Sequence, residues 1–224
     1  MKYIVIILLT ISFGTSAQEV NFPPQCNAHL LTPTEEAFCG DLFEIAFNAE
    51  SRYTNALASV DSIEQWDRLQ MVKMTFMSKY YSCSITGSRP AVSRCLQSAL
   101  QEVLESLPAE KYQAIPDAAA RARKVNFTIE AASSDILKHC VIKRAEAIDD
   151  GISTAQDIAQ GIGEWCRPAA SKLANVRFAT LTTSLITSSP EFSQTQTLAD
   201  DMLRPSNLVG AILEYRVQKR VKKK

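Results

Sequence analysis

Glycine is in short supply: seven among 224 residues, one of them within the first seventeen. Sheet-rich folds place glycine at many of their tight turns, so this composition favours helices over a turn-rich β fold. Histidine is rarer still, with only His29 and His139, and no Cys-x-x-Cys pair occurs. A zinc centre draws on such ligands at short spacings, and none is expected. GxSxG, HExxH and a glycine-rich phosphate loop are all missing, which removes the best-marked hydrolase, metalloprotease and nucleotide-binding chemistries. Long apolar runs are lacking too, save one. Tyr3 to Phe13 is almost unbroken, yet its length of about 11 residues falls short of the roughly 20 needed to cross a bilayer.

That run fits an export signal. Lys2 supplies the positive start, and the small residues Gly14-Thr15-Ser16-Ala17 precede a polar Gln18. Residues 1–17 are therefore read as a leader cut after Ala17, and the mature protein as periplasmic or secreted. No cysteine follows the cut, so lipid attachment there has no support. All six cysteines (Cys26, Cys39, Cys83, Cys95, Cys140 and Cys166) lie beyond it. An even count in an exported chain points to three disulfides, for which 15 connectivities exist. Sequence-local pairing is preferred: Cys26 with Cys39, Cys83 with Cys95, Cys140 with Cys166. Loops of 12 to 26 residues would each contribute on the order of 3 kcal/mol in the chain-entropy account.

The net charge near zero hides an asymmetry. The last nine residues hold Arg216, Lys219, Arg220, Lys222, Lys223 and Lys224 and no acid. Without these six and Lys2, the body carries 17 basic against 24 acidic residues. An acidic body with a basic tail is the pattern. Such a tail suits anionic lipid headgroups or cell-wall polymers, and equally the negative end of a helix. A nucleic-acid partner is not expected of an exported chain with an acidic body.

Hydrophobic spacing gives the elements. Thr32-Pro33-Thr34-Glu35 is a capping box with proline at the first helical position. Phe38, Leu42, Ile45, Ala49, Tyr53, Ala56 and Val60 follow at steps of three and four, the face of one long helix. Asp61-Ser62-Ile63-Glu64 starts a second, striped by Leu69, Val72, Phe76, Tyr80 and Cys83. Residues 85–90 read as a loop. A third helix with Val92, Cys95, Ala99, Val103 and Leu107 stops at Pro108. Pro116-Asp117 opens another, carrying Ala118, Ala122, Val125, Ile129, Ala132 and Ile136, with a possible break at Ser133-Ser134. Asp149-Asp150-Gly151 turns the chain, and Ser153-Thr154 caps a partner with Ala155, Ile158, Ala159, Ile162 and Cys166 inward. Beyond Pro168, Leu173 and Val176 still fit a helix, whereas Thr180-Leu181-Thr182-Thr183 suits an extended segment. A final helix capped by Ser206 carries Leu208, Ile212 and Tyr215.

Three further features are read as structural. His139 adjoins Cys140, so on a helix the two point about 100° apart and share no task; a partly buried histidine is expected. His29 lies in a loop with nothing to mark it as a base. Asn126-Phe127-Thr128 matches a glycosylation sequon, meaningful only in a eukaryotic secretory pathway.

The first half resembles a known pattern. Cys26, then Thr32 to Asp41 around Cys39, then a helix reaching Tyr53, then Cys83, a loop and Cys95-Leu96 are similar to the small exported bacterial family typified by the LprI-like lysozyme inhibitors. The resemblance covers roughly residues 22–107. It implies a helical domain with two local disulfides and binding to a lysozyme. The family's tryptophan and arginine before the third cysteine are replaced here by Phe76 and Lys79, and its mid-helix aspartate by Asn48. The resulting expectation is an all-α bundle of antiparallel helices stapled by three local disulfides. Residues 18–107 form the resembling domain, and 108–224 a second helical region with a bridged hairpin and the basic tail. The chain is expected to be a non-enzymatic, cofactor-free protein-binding module of the cell envelope. Ile85, Ser88 and Arg89 are the candidate partner-binding loop, and an adaptor held to anionic surfaces by its tail is the alternative.

Overall fold

In the computed structural model, which describes residues 32–85, 88–109, 111–180, 184–186 and 192–221, every regular element is a helix. The leader, Cys26, His29 and Lys222 to Lys224 lie outside the described residues. Thr32 caps α1 (Pro33–Cys39) as expected: its backbone N–H donates to Glu35 Oε2 at 2.7 Å, and its Oγ1 accepts from Glu35 N at 3.3 Å.

The single long helix expected from there is two. α1 ends at Gly40, and α2 runs Phe43–Ala58. A side chain at Gly40 would sit 3.1 Å from the Arg89 guanidinium and 3.3 Å from the Glu36 carbonyl, so the chain can bend tightly here beside Arg89. Phe38 and Leu42 remain buried on either side of the bend, which is why the apolar spacing conceals it. Ser62 caps α3 (Ile63–Ser84), and α4 (Arg89–Ser106) stops before Pro108. The Cys83–Cys95 disulfide closes these two into a hairpin, with Cα atoms 5.6 Å apart.

α5 (Ala118–Ile148) and α6 (Ala155–Thr180) form a longer hairpin, joined by the Cys140–Cys166 disulfide with Cα atoms 5.9 Å apart. α5 passes through Ser133-Ser134 without a break, and Ser133 is buried. α6 passes through Pro168, where one backbone hydrogen bond is lost. Burial of Ile162 and Cys166 before it, and of Ala170, Leu173 and Ala174 after it, holds the helix together. Thr154 and Asp157 cap α6 reciprocally, with Asp157 N donating to Thr154 Oγ1 and Thr154 N to Asp157 Oδ2. Thr180 ends α6 instead of opening an extended segment; residues 181–183 lie outside the described residues. α7 (Phe192–Met202) has no counterpart in the sequence reading. α8 (Pro205–Val221) starts two residues earlier than a cap at Ser206 implies, and takes Ser206 into its first turn. His139 is exposed on α5, not partly buried.

Among the described residues, two of the three expected disulfides are present; the pairing of Cys39 with Cys26 falls outside them. The helices bury two cores. One joins α1 to α4 around Leu42, Tyr53, Phe76 and Leu96, and it continues past residue 107 to take in Ala122, Ile129, Val176, Leu185 and Ile186. The other joins the far half of the α5–α6 hairpin to α7 and α8 around Ile158, Ile162, Ala199, Leu208 and Ile212. No helix among the described residues is long and apolar enough to cross a membrane.

One amide fixes the hairpin to the first core. Trp66 Nε1 donates to Asn126 Oδ1 at 2.9 Å, and Asn126 Nδ2 donates to the Ala179 carbonyl at 3.0 Å. The asparagine of the sequon is thus 0% exposed, with both amide atoms engaged, and out of reach of a glycosylating enzyme as folded. Asn126→Ala leaves a buried indole N–H and a buried carbonyl without partners, a loss of about 2–4 kcal/mol. Urea unfolding should show a matching fall in midpoint; a change below about 0.5 kcal/mol, the range of inert surface substitutions, would refute this role.

Candidate functional site

Ile85, Ser88 and Arg89, the expected partner-binding residues, lie where α3 ends and α4 begins. Cys83 is buried at the end of α3 and bonded to Cys95 one turn into α4. The bridge ties the end of α3 to α4 close to Ile85 and Arg89. Ile85 is 85% exposed there, an unusual place for an isoleucine. Ser88 and Arg89 are exposed beside it, and residues 86 and 87 lie outside the described residues. Arg89 Nε is 3.9 Å from Glu36 Oε2, which holds the guanidinium against α1. The junction is braced further. Thr34 Oγ1 donates to Ser84 Oγ at 3.3 Å, Ser84 Oγ donates to the Tyr80 carbonyl at 2.8 Å, and the Phe38 and Tyr80 rings stack at 6.1 Å.

Tyr81, half-exposed, stands four residues before Ile85 and so shares its side of α3. The sequence reading missed it, because Tyr80 occupies the buried stripe and its neighbour looked incidental. The tip presents an aliphatic side chain, a phenol ring and a guanidinium. This is a binding chemistry, since aromatic and arginine side chains dominate protein–protein hot spots.

The basic tail is differently placed. Arg216 Nη2 donates to Asp149 Oδ1 at 2.6 Å and to the Ser153 carbonyl at 2.7 Å, and Lys219 Nζ lies 3.6 Å from Asp149 Oδ2. The Asp149 side chain is 3% exposed. The hydrogen bond from Arg216 holds its carboxyl below the usual carboxylate range. Two of the tail's cations therefore fasten α8 to the α5–α6 turn, while Arg220 is exposed.

A third cluster escaped the sequence reading altogether. Glu50 of α2 accepts from the backbone N–H groups of Leu185 at 2.9 Å and Ile186 at 3.3 Å, and from Ser184 Oγ at 3.1 Å. Lys73 of α3, 4% exposed, donates to the Ser184 carbonyl at 2.7 Å. Gln70 Nε2 donates to the buried Tyr53 hydroxyl at 3.2 Å. Burial pushes the Glu50 carboxyl up, although its hydrogen bonds and Lys73 oppose this, and burial pushes the Lys73 ammonium down to about 8. The signal lay in the spacing: Lys73 falls four residues after Leu69 and three before Phe76, inside the apolar stripe. The cluster grips residues 184–186 and buries Leu185 and Ile186 in the first core. Beside it, a cleft of about 520 Å³ between α3 and α6 is lined by Trp66, Met71, Met74 and Phe178. Its wall residues Asp67 and Lys172 are already paired with each other at 2.5 Å.

No family model, characterised protein or solved structure matches this chain. Fold and surface together define a class: an all-α protein with disulfide-tied helical hairpins and a braced, exposed tip.

The Lys73 site makes a pH prediction. Its folded pKa, near 8, lies below the unfolded value of about 10.4. The unfolded chain then binds more protons between those limits, so stability gains a rising contribution across pH 8 to 10. Lys73→Met should remove that contribution, so the wild-type minus variant stability should climb with pH over this window. Parallel pH profiles from urea titrations would contradict it.

Proposed function

We propose that this chain is an exported, non-enzymatic protein-binding module of the cell envelope, and that its partner is a lysozyme whose cleft receives the Ile85–Arg89 tip. The observation that carries the reading is Ile85, nearly fully exposed on a base fixed by Cys83–Cys95. A pinned loop loses less conformational freedom on binding than a free one, so more of its contact energy appears as affinity. The resemblance of residues 22–107 to LprI-like inhibitors supports the same partner. Charge supports it as well. The acidic body would attract a basic lysozyme and speed encounter. The cations of α8 belong to the second core, packed on α5, α6 and α7, whereas the tip is built on the first. Export also supports the compartment: two disulfides among the described residues suit an oxidising environment.

Oxidised protein covering residues 18–224 should inhibit cell-wall lysis stoichiometrically when titrated into a lysozyme. Ile85→Asp with Arg89→Glu should weaken inhibition about thirtyfold or more, the loss of one hot spot of about 2 kcal/mol. Full inhibition by that variant would move the contact elsewhere. Absence of inhibition across several lysozyme classes would end the lysozyme assignment.

A further inference from the structure

α8 has apolar residues on two opposite faces. Leu208, Ile212 and Tyr215 are buried against the second core. Leu213, Val217 and Val221, spaced by four, form a ridge that points away from it and stands 49%, 61% and 69% exposed. A helix apolar all round is ordinarily covered on all sides; here one side is left open. Cations gather at the C-terminal end of the ridge, while Asp150 is exposed in the turn that carries Ile152. Arg220 is exposed next to Val221, and Lys222, Lys223 and Lys224 follow in the sequence. The one acid of α8, Glu214, is paired with Lys138 at 3.1 Å.

The turn held by Arg216 adds to this surface. Arg216 Nη2 holds the Ser153 carbonyl at 2.7 Å, and the preceding residue, Ile152, is 90% exposed. Asp149 pairs with Arg216 and Lys219, the cations of α8 that face the protein, and Arg220 is exposed. Apolar side chains on an outward face with cations at one end are the makings of a helix that lies in a bilayer interface. Anionic headgroups attract the charges, and salt weakens that attraction. The ridge needs acyl chains to cover it, which a purely hydrophilic polyanion does not offer.

We infer that α8 is an interfacial helix: the ridge Leu213–Val217–Val221, with Ile152 near its flank, enters the headgroup region of an anionic bilayer. This does not rest on the lysozyme reading.

The test is co-sedimentation of residues 18–224 with phosphatidylglycerol vesicles and with phosphatidylcholine vesicles, at low and high salt, alongside analytical ultracentrifugation of the free protein. The wild type should bind the anionic vesicles, lose binding as salt rises, and show little affinity for the neutral ones. Leu213→Ser with Val217→Ser and Val221→Ser should lower partitioning at least about tenfold. Because those side chains face outward, helical content and lysozyme inhibition should be unchanged. Ile152→Ser, in an exposed turn, should lower partitioning by a smaller factor and keeps the proposal testable should the triple variant misfold. Three results would overturn it: no binding to anionic vesicles at low salt, equal binding of wild type and ridge variants, or a wild-type dimer that the ridge variants dissociate without vesicle binding. The second would mean simple charge attraction, and the third would make a second copy of the chain the occupant.

Discussion

Asn126 is the joint on which the molecule depends. It lies on α5 between Ala122 and Ile129, inside the first core, and its amide ties α3, through Trp66, to the last turn of α6, through Ala179. A buried amide with a fixed donor on one side and a fixed acceptor on the other allows only one register. That register sets where the rest of α5 falls: Ala122 and Ile129 in the first core, Val141 and Ala145 in the second. The second core then places Asp149 beneath Arg216, and with it α8. A slip of one residue along α5 would rotate each of these positions by about 100° and turn the buried face outward.

The Glu50–Lys73 cluster works at the same joint by a different means. Two buried charges are unfavourable unless their hydrogen-bonding capacity is met. Here Glu50 is met largely by backbone N–H groups, and Lys73 by a backbone carbonyl. The segment 184–186 lies outside the helices, and the charges pair backbone groups there as secondary structure does elsewhere. Burial of Leu185 and Ile186 follows, and the segment after α6 is drawn onto the first core.

How much of this was legible in the sequence depended on range. The Thr32–Glu35 box, the Ser62 cap, the stop at Pro108 and the turn at Gly151 were readable because each is settled within four residues. The bend at Gly40 was not. The apolar spacing runs straight through it, with Phe38 and Leu42 buried on either side. At Pro168 the spacing held: Leu173 and Val176 still fit a helix beyond it, and packing of Ala170, Leu173 and Ala174 carries α6 through the proline. Asn126 showed up as a sequon and Asp149 as a turn residue, while Glu50 and Lys73 drew no reading at all. Each has a partner more than fifty residues away, beyond the reach of any window. The tip at Ile85 was found from its flanking cysteines, whereas Tyr81 needed the helix to place it on the same side.

The cations of residues 216–224 show why a charge count alone cannot assign a role. Six positive charges in nine residues read as one feature, yet the fold divides them. Arg216 and Lys219 face Asp149, whose carboxylate is nearly enclosed. Their charge is neutralised locally, and their contribution is to anchor α8. Arg220 lies on the outer side, level with Val221, where no described acid opposes it. Anchoring is what gives the outer set a defined direction. A basic tail on a free chain could approach an anionic surface from any angle, but a helix held at Asp149 presents Leu213, Val217 and Val221 as one fixed line. The same logic governs the opposite core, where a disulfide and the Arg89–Glu36 contact fix the approach of Ile85. In both places a small number of buried or braced contacts converts an exposed apolar side chain from a liability into an oriented surface, and the energy of any contact made there is not lost to ordering the chain first.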